Sequence, residues 1–123
     1  MYVEKQNPLS EAYLRFLQLA KAFKFDNAEV EMDANERALL DVLALCWYEG
    51  QPMSVREAIA LDHLGSPATL HKRITRLRQK ELLIAFNQDG DRRAKYLIPS
   101  EKTLDFYGYL GRNLQKVQSP VNE

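Results

Sequence analysis

The tripeptide Gly-Ser-Pro at 65–67 constrains the fold most strongly, because it ends one helix and begins the next within three residues. Glycine is favoured just after a helix, serine caps the following helix, and proline is tolerated at a first helical position. Over 67–80 the apolar residues Leu70, Ile74 and Leu77 recur at helical spacing and lie within about 60° of one another around the helix axis. The sequence therefore predicts two helices joined by a tight turn.

Two earlier segments begin with the pattern of a capping box. Asp33 precedes Glu36 by three residues ahead of an apolar run, which predicts a helix over 34–48 with apolar residues on most sides. We expect this helix to be the most buried of the chain. A second box at 54–57 predicts a short helix that ends near His63.

The remaining elements are two terminal helices and a hairpin. Helical spacing of aromatic and apolar residues predicts a helix over 10–23, and a serine cap predicts a last helix over 100–117. Two short apolar runs, at 82–86 and 96–98, flank the turn dipeptide Asp-Gly at 89–90 and indicate a hairpin. The predicted fold is mainly α with a small β-hairpin wing, a winged helix-turn-helix with extra N- and C-terminal helices.

The chain has 123 residues, which is enough for one domain and too few for two. Within that domain we expect an N-terminal helix and connection at 1–32, a winged-helix core at 33–99 and a C-terminal helix with a tail at 100–123. Cys46 is the single cysteine, so an intrachain disulfide is excluded, and the first residues lack the apolar run of a signal peptide. We therefore predict a cytoplasmic protein that does not enter a membrane.

Several kinds of site are not indicated by the sequence. His63 and His71 have no further ligands at metal-like spacing, which argues against a metal site. Gly-rich phosphate loops, nucleophile elbows and suitably spaced acid pairs are not found either. We expect neither an enzyme nor a bound cofactor, and a small-molecule effector, if one exists, is not identified.

The distribution of charge points to an anion-binding surface. Seventeen basic and 17 acidic residues cancel over the whole chain. Residues 1–65 carry 6 basic and 11 acidic side chains, a net of −5, whereas 66–95 carry 8 basic and 3 acidic ones, a net of +5. A basic block inside a neutral chain indicates a localised surface for a polyanion.

Double-stranded DNA is the polyanion that the helix and hairpin of the basic block fit best. A helix about 10–12 Å across enters the major groove, and an arginine on an adjacent hairpin can reach a narrow minor groove. The candidate DNA-binding residues lie on the predicted helix, its cap and the hairpin: Ser66, Thr69, His71, Lys72, Thr75, Arg76, Arg92, Arg93 and Lys95.

Residues 66–83, SPATLHKRITRLRQKELL, resemble the recognition-helix segment of winged-helix regulators of the MarR type. That pattern has Ser and Thr near the helix start, an Arg-Leu pair, and Lys-Gly-Leu-Ile leading into the wing. Asp-Arg-Arg at 91–93 and Pro-Ser-Glu-Lys at 99–102 are similar to the family's wing sequence and to the start of the helix after it. Glu81 and Thr103 replace family glycines, and Arg73 stands at a position that is usually apolar.

The resemblance implies a transcriptional regulator, usually a repressor, that binds DNA as a homodimer. It also implies that Ser66, Thr69, Lys72 and Arg76 lie at or near the major groove and that Arg92 or Arg93 reaches the minor groove. Large apolar residues of the terminal helices independently favour a dimer interface, since a small winged helix cannot bury them all. The interface candidates are Tyr13, Phe16, Leu17, Phe23, Leu104, Tyr107 and Leu110.

Two alternatives stay open at this point. Winged helices also serve as protein–protein interaction modules, and plasmid or phage proteins use the same fold for replication or partition. Binding that weakens steeply with salt separates DNA recognition from a protein partner.

Overall fold

The computed structural model describes residues 8–26, 30–87 and 95–118, with only the backbone described for 20–26, 117 and 118. Along this part of the chain the elements are α1 (Pro8–Asp26), α2 (Ala34–Tyr48), α3 (Val55–Ile59), α4 (Pro67–Gln79), β1 (Leu83–Asn87), β2 (Lys95–Pro99) and α5 (Glu101–Gln118). This order confirms the predicted fold class of a winged helix-turn-helix with additional terminal helices.

Both predicted capping boxes are formed. In the first, the Asp33 carboxylate accepts a hydrogen bond from the Glu36 backbone N–H at 2.7 Å, and the Glu36 side chain accepts one from the Asp33 N–H at 3.1 Å. Ser54 and Glu57 exchange the corresponding bonds at 3.1 and 3.0 Å. These bonds satisfy N–H groups that the first turn of a helix leaves unpaired, which explains why α2 and α3 begin where they do.

Two helices differ in length from the prediction. α1 begins two residues earlier and ends three residues later than expected, at Asp26. α3 ends at Ile59 and not near His63, because the chain beyond it tightens into i→i+3 turns. The N–H of Ala60 there reaches Glu57 and that of Leu61 reaches Ala58. Such short-range bonds replace the i→i+4 pattern that an α-helix needs.

The hairpin is tied to the rest of the winged helix along one edge and at its base. β1 and β2 are antiparallel, with Ala85 opposite Leu97. The N–H of Leu97 donates to Met53 at 2.9 Å, so a short extended segment before α3 adds to the sheet beside β2. At the base, the buried Thr103 hydroxyl of α5 donates to the Leu82 carbonyl at 2.6 Å. The hydroxyl of Thr103 thus joins α5 to the start of β1.

The core of the winged helix is built from aliphatic side chains of α2, α4 and the hairpin. The fully buried leucines are Leu39, Leu40, Leu43, Leu70, Leu77, Leu82 and Leu97. α2 is less enclosed than the sequence predicts, because Leu45 is 56% and Tyr48 80% exposed. Cys46 and Trp47 are only half-buried. The apolar character of these positions is therefore not a sign of burial in the single chain.

The chain divides into two compact units. One unit is Met32–Asp105 and contains α2, α3, α4, the hairpin and the first turn of α5. The other contains α1 and the rest of α5 from Phe106 onward. None of the described helices combines the length and apolar character needed to cross a membrane.

Candidate nucleic-acid interface

The face of α4 opposite its core stripe is polar and exposed. Leu70, Ile74 and Leu77 are buried. On the opposite side the exposed residues include Lys72, Thr75, Arg76, His71 and Gln79. At about 100° per residue, Lys72 projects almost directly away from the core, and Thr75 and Arg76 lie about 50° to either side of that direction. The sequence prediction for these side chains agrees with their exposure, and their contact with DNA stays a prediction.

The N-terminal end of α4 is a closed cap. Ser66 has extended backbone geometry, and its hydroxyl accepts from the Thr69 backbone N–H at 3.2 Å. The same hydroxyl donates to the Thr69 hydroxyl at 2.9 Å. Both side chains thus hold the helix start in place. The Thr69 hydroxyl keeps its own proton, so it can still donate to an outside acceptor.

Two half-buried cations of the basic block have partners within the protein. One guanidinium nitrogen of Arg73 donates to the Leu64 carbonyl at 2.7 Å, in the turn before α4. The ammonium group of Lys80 lies 2.8 Å from a carboxylate oxygen of Glu36. The basic block at 66–95 therefore includes two cations that are bound to other groups of the protein, and a single anion-binding surface formed by its other cations stays a prediction.

The last turn of α4 adds residues that the sequence prediction left out. Gln79 lies one turn beyond Thr75 on the same exposed face, and Arg78 is exposed beside it. Their positions follow from helical spacing, so the signal was present in the sequence. These residues also border an open groove of about 710 Å³. Its other walls are β1 and the first turn of α5, including Leu83 and Lys102.

The hairpin contributes one described candidate. Lys95 begins β2 and is exposed. Arg92 and Arg93, together with Asp91, lie outside the described residues, so their predicted roles in the wing are neither confirmed nor contradicted. Among the described residues, no group of three or more His, Cys, Asp or Glu side chains could hold a metal ion.

The residues predicted for a dimer interface differ in exposure. Tyr13, Leu17 and Leu104 are exposed, whereas Phe16, Tyr107 and Leu110 are half-buried. The rings of Tyr13 and Phe16 lie 6.2 Å apart on α1. The Phe23 side chain lies outside the described side chains. Leu9 and Leu14, which the prediction did not include, are also exposed on α1.

Solved structures with a similar fold include transcriptional regulators and a sensor protein. A MarR-like transcriptional regulator of Thermotoga maritima is 15% identical, with 95% of this chain and 79% of that chain covered and a TM-score of 0.58. The transcriptional regulator SlyA is 15% identical, with 92% and 76% covered and a TM-score of 0.55. The heme sensor protein PefR from Streptococcus agalactiae, in complex with heme, is 18% identical, with 96% and 83% covered and a TM-score of 0.52.

The sequence has no significant match to a protein-family model or to a curated protein. At these identities the structural similarity establishes the fold. The chain thus resembles MarR-type winged-helix regulators in architecture, as the residues between Ser66 and Lys102 predict.

Proposed function

We propose that this protein binds double-stranded DNA as a homodimer and regulates transcription, acting as a repressor and not as an enzyme. The observation that carries the proposal is the exposed cationic face of α4, with Lys72 and Arg76 opposite the buried stripe of a helix whose start is capped by Ser66. A helix presented in this way fits the major groove, and its cationic side chains neutralise phosphates. The fold similarity to transcriptional regulators supports the same conclusion.

The proposed division of labour follows from side-chain chemistry. Lys72 and Arg76 contact bases or phosphates in the major groove, and Thr75 adds a short polar contact between them. The wing residues Arg92, Arg93 and Lys95 contact the backbone or minor groove on the flank. Ser66 and Thr69 orient the helix start, where backbone N–H groups favour a phosphate.

The homodimer is supported by exposed apolar surface on the terminal helices. Leu9, Tyr13 and Leu17 recur at four-residue spacing on α1 and are 79%, 61% and 43% exposed. Leu104 and Leu114 are exposed on α5. Exposed apolar stripes of this kind are typical of interfaces, and a two-fold dimer would place two α4 helices about one DNA turn apart.

Duplex binding across a salt series tests the proposal. Selection from random duplexes supplies the site, and the affinity for that site is then measured from about 50 to 200 mM salt. We expect Lys72→Ala/Arg76→Ala to weaken binding at least about tenfold and to reduce the slope of log affinity against log salt by about two. Arg112→Ala/Lys116→Ala removes two exposed cations of α5 and is the matched control, with binding close to that of the unchanged protein.

Two results would contradict the proposal. Binding that is insensitive to salt, or an equal loss in both double variants, would favour a protein-interaction module. A site without two-fold symmetry that is bound by one chain would contradict the homodimer.

A further inference from the structure

The ion pair between Glu36 and Lys80 joins two helices across 44 residues of sequence. Glu36 is the third residue of α2, and Lys80 is the C-cap of α4. The Lys80 ammonium donates to both carboxylate oxygens of Glu36, at 2.8 and 3.1 Å. The Glu36 side chain is only 4% exposed, whereas that of Lys80 is 37% exposed. The pair therefore lies at the edge of the core, with its negative partner inside.

Further hydrogen bonds make this pair part of a network. The Glu36 carboxylate also accepts from the Asp33 backbone N–H at 3.1 Å, within the cap of α2. The Lys80 carbonyl accepts from the Lys102 ammonium of α5 at 3.3 Å. The C-terminal end of α4 is thus joined to the start of α2 and to the start of α5, all within the unit Met32–Asp105.

A second polar contact starts from the middle of α4, where Arg73 donates to the carbonyl of Leu64 in the turn before the helix at 2.7 Å. Along the same helix, the buried stripe of Leu70, Ile74 and Leu77 supplies apolar packing. Apolar packing is non-directional, whereas a charged hydrogen bond fixes distance and angle. The polar contacts at the middle and at the C-terminal end of α4 are therefore the features that set the direction of the helix axis.

The direction of α4 matters because base contacts tolerate little displacement. The helix has 13 residues and is about 20 Å long at about 1.5 Å per residue. A tilt of about 10° about one end moves the other end by about 3 Å, whereas a binding constellation must be held within about 0.5 Å. Loss of one polar contact can therefore weaken recognition without unfolding the domain.

We propose that Glu36 is a positioning residue that, through Lys80, fixes the angle of α4 on the DNA-binding face. The proposal rests on the proposed function, since it treats α4 as the helix that enters the major groove. It assigns Lys80 to the protein's own structure and removes it from the set of cations that touch DNA. A buried ion pair often contributes little net stability, and its best-supported use is to select one arrangement.

The sign of the effect of Glu36→Met distinguishes positioning from simple electrostatics. The substitution removes one negative charge, so an effect of charge alone would strengthen binding to a polyanion. Positioning predicts the opposite result, an affinity for the selected duplex at least about fivefold lower. Asp41→Met is the matched control, because it removes one carboxylate from an exposed pair with Arg37 on the same helix. We expect it to bind DNA as well as the unchanged protein or more tightly.

A second variant separates positioning from loss of fold. Glu36→Met/Lys80→Met replaces the pair by two apolar side chains, and thermal unfolding checks that it folds. We expect its melting temperature within a few degrees of the unchanged protein and an affinity that remains at least about fivefold lower. The single variant Lys80→Arg keeps the ion pair with Glu36 and should therefore bind DNA with the affinity of the unchanged protein. Normal or tighter binding by a folded double variant would overturn the proposal.

Hydrogen exchange in the free protein tests the positioning claim without DNA. Amides in the last turn of α4 should exchange about tenfold faster in both variants that lack Glu36, with the hairpin amides unchanged. If the unchanged protein binds no duplex, the proposed function fails, while the exchange result still decides whether Glu36 holds α4. Unchanged exchange in α4 would overturn the positioning claim by itself.

Discussion

Glu81 has a left-handed backbone conformation, which residues other than glycine rarely adopt. Its φ is +61°, and it is the first residue after the C-cap of α4. The Glu81 N–H donates to Arg78 at 3.0 Å, and the Leu82 N–H donates to Leu77 at 2.9 Å. This pair of bonds is the Schellman motif, in which the residue after the C-cap is left-handed and is usually glycine.

α2 ends with the same motif and supplies an internal comparison. Gly50 has a φ of +82°. Its N–H donates to Trp47 at 3.0 Å, and the Gln51 N–H donates to Cys46 at 2.9 Å. A Cβ added to Gly50 would meet nothing within 4 Å, so only the backbone conformation penalises a side chain there. The two helix ends therefore differ in the residue that takes the left-handed conformation, Glu81 after α4 and Gly50 after α2, and mutation can exchange these residue types.

We expect Glu81→Gly to stabilise the protein. A left-handed conformation costs a non-glycine residue about 1–2 kcal/mol. Glycine also gives the unfolded chain more conformational freedom, which offsets about 0.4–1 kcal/mol of this stabilisation. The net gain is about 0.5–1 kcal/mol in the free energy of unfolding, which raises the melting temperature by about 2–5 °C for a domain of this size. Urea unfolding measures this gain as a shift of the midpoint, with the dependence of the unfolding free energy on urea concentration unchanged.

Two further variants identify the cause. Glu81→Ala removes the carboxylate but keeps the Cβ, so we expect a change of less than about 0.5 kcal/mol, typical of a surface substitution. Gly50→Ala introduces the same strain at the end of α2, and we expect a loss of about 1 kcal/mol. An equal gain in the Ala and Gly variants at Glu81 would show that charge and not backbone strain is responsible, and would refute this reasoning.

Two other substitutions test local features of the fold. Gly65→Ala should lower the free energy of unfolding by about 1–3 kcal/mol in urea titrations. Gly65 has a φ of +152°, and an added Cβ would lie 3.2 Å from a guanidinium nitrogen of Arg73; unchanged stability would contradict this account. The Glu36 backbone N–H that donates to Asp33 holds the pKa of that carboxyl below its usual value. The cap therefore adds stability above the ordinary aspartate pKa, and this contribution is lost as the pH falls through the lowered one. Between about pH 5 and pH 2, the melting temperature of Asp33→Asn should therefore fall by less than that of the unchanged protein. An equal fall in both proteins would contradict this account.

The elements that could be predicted from the sequence are those with local signals. The box of Asp33 and Glu36 and the Ser66 cap each depend on residues three positions apart, so they can be recognised without knowledge of the fold. The stripe of α4 follows from helical periodicity for the same reason. The sequence predicts an end of α3 later than the structure shows, because the turns that follow Val55–Ile59 have no distinctive residue pattern.

The features that could not be predicted depend on contacts that no local residue pattern indicates. Lys80 counts as one more cation of the basic block until its contact with Glu36, 44 positions earlier, is known. Arg73 stands at a position that is usually apolar in the resembling family, but only the structure shows its bond to Leu64. Leu45 is apolar yet exposed. Its exposure could not be predicted, because a hydrophobic pattern alone does not distinguish a core position from an exposed one.

These contacts change how the charge of the chain should be related to DNA binding. Lys80 is neutralised by Glu36, so that pair contributes little field at a distance. Arg73 binds a neutral carbonyl and keeps its charge, so it still attracts a polyanion without touching it. The number of phosphates neutralised sets the salt dependence, whereas the whole field sets the rate of encounter. In the proposed function, Arg73 therefore accelerates association, and the exposed cations Lys72 and Arg76 determine how steeply salt releases the DNA.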